Sequence, residues 1–280
     1  LSIYNFKSLK KNYNIIKEWK ETKSSIEKYI FKFLPGFKGK IIYSKHHLSH
    51  AASAFYPSPF EKSAILTIDG VGEWASSSIG IGDANKISIL KEQKYPNSVG
   101  ILYSTFTNYL GFKILSGEYK LMGLAPYGEP KYVNKIKDKL LQINNNGSII
   151  LNKEYFNFLS EYKIYNDNFN KHFNNLKRFP DQKIKNEHCD LASSIQVILE
   201  EIVLKMSNHA CEITSSNNLC MAGGVALNCV ANEKILRNGN CKKLWIQPAS
   251  GDSGTSLGAA LNYLYNEIGY KRLSNKNIQK

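Results

Sequence analysis

Three histidines stand within five positions in "YSKHHLSHAASAFYPSPF", residues 43–60: His46, His47 and His50. The alanines favour a helix over 45–54, which would put His46 and His50 four apart on one face and turn His47 about a third of a turn away. Two imidazoles at that spacing can share one metal ion, but they cannot complete a site. Without further ligands such a pair is more often polar decoration. Two carboxylates change that balance. Asp69 ends the apolar run "SAILTID" and precedes "GVGE", which places it at the C-terminal edge of a sheet, where ligands bind in open α/β folds. It could equally begin a turn. Asp252 lies between glycines in "PASGDSGTSLGAA", where capping the following helix would also account for it. Two histidines and two carboxylates, with no sulfur, would suit divalent iron, manganese or zinc with positions left open for substrate.

Glycine-rich turns add a second theme. "DGVGE" follows a strand and "AGGVALN" joins a strand to a helix; both let backbone approach a ligand closely, and helix N-termini favour anions. Each alone is weak, because glycine pairs also serve tight packing. Together they point to phosphate contact at Gly70 and Gly72 and nucleotide contact at Gly223 and Gly224.

The elements that must position these residues can be read from periodicity. Residues 7–33 have mixed helical spacing ended by "LPGFKG", and Lys40–Tyr43 is a short β-rich run. "SAILTID", "SSSIGIGD" and "KISILKEQKY" read as strands of an antiparallel meander, and "SVGILYSTFTNYLGF" as a helix. Residues 134–188, with turn signals at "NNNG" and "FPDQ", are expected to be a helical insertion with loops. Leu191, Ile195, Ile198, Ile202, Met206, Ala210 and Ile213 form the apolar stripe of a long helix. "NLCMA" and "KKLWIQP" are strands, and "GDSGTSLGAALNYLYNEIG" opens another helix. Strands alternating with helices give an α/β layer.

Composition narrows the function. The chain has 280 residues, 42% of them hydrophobic and 21% charged, as in ordinary folded domains. No apolar run is long enough to span a bilayer and the first residues lack a signal-peptide pattern, so a soluble, cytoplasmic protein without membrane contact is expected. The five cysteines include no CxxC pair, which disfavours disulfides and a cysteine zinc site. The net charge of +14 is nearly all lysine, with arginine only at 178, 237 and 272. Scattered lysines without arginine forks read as a solvated surface rather than a nucleic-acid face.

"HHLSHAASAFYPSPF", "TIDGVGEWAS", "SGEYKLMGLAPYG", "MAGGVALNCVAN" and "QPASGDSGTSLGAA" occur in the order and wording of the carbamoyltransferase family that includes NodU and the antibiotic O-carbamoyltransferases. The resemblance covers residues 40–130 and 190–265. It implies an actin-like ATPase fold (ASKHA, Kae1-like), here without part of the N-terminal lobe, divided as 1–130 in a first lobe, 131–188 as an insertion and 189–280 in a second lobe. It implies that carbamoyl phosphate and ATP give carbamoyl adenylate, whose carbamoyl group passes to a hydroxyl of a sugar or antibiotic at a bound iron. By position, His46, His50, Asp69 and Asp252 match the metal ligands and "AGGVALN", through Asn228, the adenosine turn. Lys120 in "GEYKLMG" and His47 become the catalytic candidates. The family's opening strand-rich segment and its YrdC-like domain are not in this sequence, so the chain is expected to be the middle of such an enzyme, inactive alone, with a homodimer allowed.

Two other readings stay open besides a decayed fragment. An ATP-dependent kinase of the same fold would use the glycine turns but not His46 and His50. A metalloprotease would want a glutamate between the histidines, where Leu48 and Ser49 stand.

Overall fold

Apolar side chains occupy both faces of β1 (Lys62–Gly72), the pattern of a strand covered on both sides. Ala64, Leu66 and Ile68 enter one core and Ile65 the other. By the same alternation Thr67 and Asp69 share the face of Ile65. In the computed structural model, Lys17 and residues 25–158 and 164–272 are described.

β1 pairs antiparallel with β2 (Ala75–Asp83), and β2 antiparallel with β3 (Lys86–Lys94). On its other side β1 pairs parallel with β6 (Asn218–Ala222), which pairs parallel with β7 (Lys243–Ile246). The sheet order is β3-β2-β1-β6-β7, so β2 alone runs against the other four strands. The expected meander and the two later strands are both present.

Residues 25–33 form α1 and, with the chain up to Tyr43, a separate compact unit. The rest of the helix expected over 7–33, Lys17 aside, lies outside the described residues. Residues 40–43 are not a strand. From Ser44 onward the chain is one unit. One face of its sheet is covered by α2 (His46–Phe55) and α9 (Thr255–Leu261); Ala51, Ala52, Ala54 and Phe55 pack with Ile65, Ile87, Cys220 and Ala222. The other face carries α3 (Val99–Tyr109), α4 (Glu118–Leu124) and α7 (Asn186–Thr214). The stripe of α7 is buried from Leu191 to Ala210 and emerges at Ile213. α7 begins five residues before that stripe, at Asn186, where the Lys185 N–H donates to His188 Nδ1 (3.0 Å).

The stretch expected to be a helical insertion holds the short helices α5 (Val133–Lys139) and α6 (Asp167–His172). It also holds a hairpin, β4 (Leu141–Ile143) with β5 (Ile149–Leu151), around "NNNG". Its Phe169 and Phe173 pack edge-on against Phe106 of α3, so it shares the main core. The division at 130 and 188 therefore does not follow the packing: β1 from one expected lobe and β6 from the other are neighbours in a single sheet. α8 (Cys229–Asn238) follows β6 and is capped by Asn228, whose side chain accepts from Ala231 N. No helix among the described residues is long and apolar enough to cross a membrane.

Candidate metal centre and adjoining cavity

Asp69 leaves the end of β1 on the α2 side, and the first turns of α2 bring His46 and His50 to it. His46 Nε2 lies 2.9 Å and His50 Nε2 3.3 Å from Asp69 Oδ2, and the two Nε2 atoms are 3.0 Å apart. Asp252, from the turn before α9, places Oδ1 3.6 Å from His46 Nε2 and 3.5 Å from His50 Nε2. One ligand atom from each of the four lies within 4.8 Å of every other. The capping explanation of Asp252 does not hold, since neither the turn at Asp252–Gly254 nor α9 has a side-chain cap.

The surroundings fix this convergence. Asp69 Oδ1 accepts from Gly224 N (3.2 Å). The carbonyls of Asp69 and Gly70 accept from Ser98 Oγ at the start of α3. Gly72 has a different task from phosphate contact: a Cβ there would stand 2.0 Å from His46 Cδ2, so the imidazole fills the space of the missing side chain. Burial would raise the Asp69 carboxyl, but hydrogen bonds from His46 and His50 and the Gly70 N–H hold it well below the usual carboxylate range. Its bond to Asp69 raises His46, outweighing the opposing effect of burial.

These residues fit a divalent ion. Two Nε2 atoms 3.0 Å apart, both within 3.3 Å of Asp69 Oδ2, converge on one point where their lone pairs would serve an ion in place of hydrogens shared with the carboxylate. Two carboxylates match a 2+ charge, and the nitrogen and oxygen donors suit iron, manganese or zinc.

His47 is placed differently. Its Nε2 meets the Ala75 carbonyl at 3.0 Å and its Nδ1 meets Thr67 Oγ1 at 2.6 Å, while Thr67 Oγ1 also bonds Ser78 Oγ at 2.7 Å. A carbonyl only accepts, so Nε2 carries the hydrogen and Nδ1 accepts from Thr67. Burial, foremost, lowers its pKa to about 4. With both ring nitrogens occupied, His47 fastens α2 to β1 and β2 instead of offering a catalytic nitrogen. Lys120 is the other catalytic candidate. It is exposed on α4, its Nζ 5.9 Å from the Tyr119 ring centroid, and lines no cavity beside the cluster.

A cavity of about 410 Å³ adjoins the cluster and counts Asp69 and Asp252 among its lining. Gly70, Gly224, Gly251 and Asn228 also face it; Gly72 and Gly223 do not. A Cβ on Gly70 would meet nothing within 4 Å. The Asn228 side chain is held by paired hydrogen bonds with Gln196 at 3.0 Å each and by its cap of α8. The walls are largely apolar: Leu115, Met122, Leu199, Val225 and Leu227. Glu118 was missed beside Lys120. It accepts from Ser104 Oγ (2.7 Å), Leu115 N (3.0 Å) and Gly117 N (3.1 Å) and so holds the rim loop in place. An acid in the first turn after "SG" was its signal. A larger, more open hollow of about 720 Å³ beside the β4–β5 hairpin contains none of the candidate residues.

Cys229, next to Asn228, is exposed and touches Met122, whereas the other four cysteines are buried. A thiol reagent should therefore label one cysteine, and a molecule filling the cavity should slow that labelling several-fold. Mass spectrometry of the labelled peptide checks it; unchanged rates at saturating ligand would place the ligand elsewhere.

Fold and site define an α/β protein with a two-histidine, two-carboxylate cluster at the wall of a cavity. A family model described as "Carbamoyltransferase N-terminus" matches residues 8–261, and the chain belongs to the carbamoyltransferase family. It is 50% identical over 231 residues to an uncharacterized protein of Synechocystis sp., covering 81% of this chain and 38% of that one. It is 39% identical over 235 residues to nodulation protein NolNO of Sinorhizobium fredii, covering 82% of this chain and 32% of the relative. The chain thus spans about a third of the length of these relatives. Among solved structures, T. kodakarensis HypF overlaps 87% of this chain and 39% of its own at 14% identity and a TM-score of 0.44, a likeness too low to carry an argument.

Proposed function

We propose that this chain is the transfer part of an O-carbamoyltransferase: it holds a divalent metal, iron in the first place, at His46, His50, Asp69 and Asp252, and carbamoyl adenylate in the adjoining cavity. The carbamoyl group then passes to a hydroxyl of a sugar or natural product. The observation that carries this reading is the convergence of four ligand atoms within 4.8 Å at the wall of a cavity bounded by the Gly70 and Gly224 turns. The strand order, with only β2 reversed, supports a single actin-like lobe for residues 44–272 in place of two half-lobes.

In the transfer, the acceptor oxygen bonds to the carbamoyl carbon and the bond from that carbon to the adenylate phosphate oxygen breaks, releasing AMP and a proton. When bound, the metal supplies Lewis acidity, either polarising the carbamoyl carbonyl or lowering the pKa of the acceptor hydroxyl. The protein's own part is placement and exclusion. Gly224 N–H and Ser98 fix Asp69 and its turn, and the apolar walls keep water from the activated carbamoyl group. A kinase of the same fold would leave the paired imidazoles without work, and their approach to Asp69 disfavours it.

Making carbamoyl adenylate from ATP and carbamoyl phosphate is assigned to a YrdC-like part of the longer proteins. Calorimetry should then find one site for a non-hydrolysable carbamoyl adenylate analogue on the metal-loaded chain, and the chain alone should form no carbamoyl adenylate from ATP and carbamoyl phosphate. Formation of that product by these 280 residues would overturn the assignment.

A further inference from the structure

Asp252 differs from the other three members of the cluster. Its side chain is 78% exposed, whereas His50 is buried, and it opens the three-residue 3-10 turn Asp252–Gly254, whereas the other three stand on α2 and β1. Something must hold it 3.5 Å from His50 Nε2.

The segment that carries Asp252 is tied to α2 on both sides. Ahead of it, the buried Gln247 donates Nε2 to the Ser53 carbonyl. Behind it, α9 crosses α2 at Gly258, where a Cβ would stand 1.8 Å from the Ser49 carbonyl oxygen and 3.0 Å from Ser53 Cβ. Ser49 and Ser53 are one turn of α2 apart, the same spacing as His46 and His50. Between the two ties the chain is braced internally: Thr255 Oγ1 donates to the Asp252 carbonyl at 2.6 Å, and a Cβ on Gly254 would stand 2.0 Å from the Ala249 carbonyl. Movement of α9 away from α2 must therefore carry Asp252 with it.

We infer that Gly258 is a positioning residue for Asp252: its bare α-carbon sets how deeply α9 seats on α2, and so whether Asp252 reaches the two histidines. This rests on the proposed metal site. The neighbour is backbone oxygen within a helix and cannot rotate aside, so an alanine must shift α9. His46 and His50 ride on α2, and Asp69 is held by β1 and Gly224, so these three keep their places. The effect of the substitution on metal affinity should consequently act through Asp252.

The experiment is a cycle of Gly258→Ala, Asp252→Asn and the double variant in the full chain. Zn²⁺ affinity is measured by competition with a chromophoric chelator, and thermal unfolding without metal is recorded separately. Asp252→Asn and Gly258→Ala should each weaken Zn²⁺ binding by about 10–100-fold, and the double variant should bind no more weakly than Asp252→Asn alone. Thr255→Val, which removes the brace without a clash, should weaken binding by a smaller factor and have no effect once Asp252 is Asn; it decides the question if Gly258→Ala does not fold. Unchanged affinity in Gly258→Ala, or losses that multiply in the double variant, would overturn the inference. A parent chain that binds no Zn²⁺ sinks both the metal site and this inference. A parent that binds while Asp252→Asn binds equally well leaves the histidines standing and sinks the inference alone.

Discussion

A chain carrying His46→Ala and His50→Ala together should come off a chelator-free purification without metal, where the parent retains a near-stoichiometric amount of iron, zinc or manganese by elemental analysis. The expectation is large because the two Nε2 atoms, 3.0 Å apart, are the only nitrogen donors of the cluster. Loss of both leaves Asp69 and the exposed Asp252, which hold a borderline ion poorly. Metal retention should also depend on pH with a fixed sign. The hydrogen bond to Asp69 raises His46 above its ordinary 6.5, so a proton competes with the ion until the pH exceeds that raised value. Affinity should increase by about tenfold per pH unit below it and level off above. Without metal the sign reverses. A histidine whose folded pKa is raised contributes stability below its unfolded value, and that contribution is lost as pH rises through the folded one. Raising the pH should thus weaken the metal-free chain slightly while the rise in melting temperature caused by metal grows. Equal metal in the double variant would dismiss the site.

Much of this centre was legible because its spacing is local. A helix brings His46 and His50 together whatever surrounds it, and a strand end exposes Asp69 to a ligand. Asp252 was legible as a candidate carboxylate, but local chemistry gave it an equally good task as a cap, and only the family resemblance favoured the ligand. The surroundings of the other candidates depend on contacts far along the chain. Nothing near His47 in the sequence announces that Thr67 and the Ala75 carbonyl will take both its nitrogens. Gly72 was recognisable as a glycine that mattered, but its reason is the ring of His46, 26 positions earlier. Lys120 was a candidate only through the family resemblance of "GEYKLMG". α4 turns its Leu121 and Leu124 inward, leaving Lys120 to solvent while Glu118 holds the rim. The joining of the first and last expected segments in one sheet was not legible for a related reason: the parallel pairing of β1 with β6 joins strands far apart in sequence, and no local pattern fixes which distant strand becomes a neighbour.

The adjacent glycines of "AGGV" should separate into one that serves folding and one that serves the site. Gly223 has φ +91°, and a Cβ on it would stand 2.2 Å from the Ile68 carbonyl oxygen and 2.6 Å from the carbonyl carbon. Ile68 belongs to β1, held between β2 and β6, so the strand cannot retreat without disturbing both neighbours. Left-handed strain and a backbone clash together should lower stability by about 3 kcal/mol or more in Gly223→Ala. For a unit of this size that is a fall of about 6–12 °C in melting temperature. Gly224 has no such clash. Its Cβ would lie 3.1 Å from Asp69 Oδ1, close enough to press on the carboxylate that its own N–H holds at 3.2 Å. Gly224→Ala should therefore cost about 1 kcal/mol or less in folding but displace Asp69, which belongs both to the cluster and to the cavity lining. Thermal unfolding with and without Zn²⁺, and with and without the carbamoyl adenylate analogue, tells the two apart. Gly224→Ala should keep most of the parent's melting temperature and lose most of the ligand-induced rise. Should it keep the full rise with both ligands, this turn would be a packing device alone, and the cavity beside Asp69 would need a different occupant.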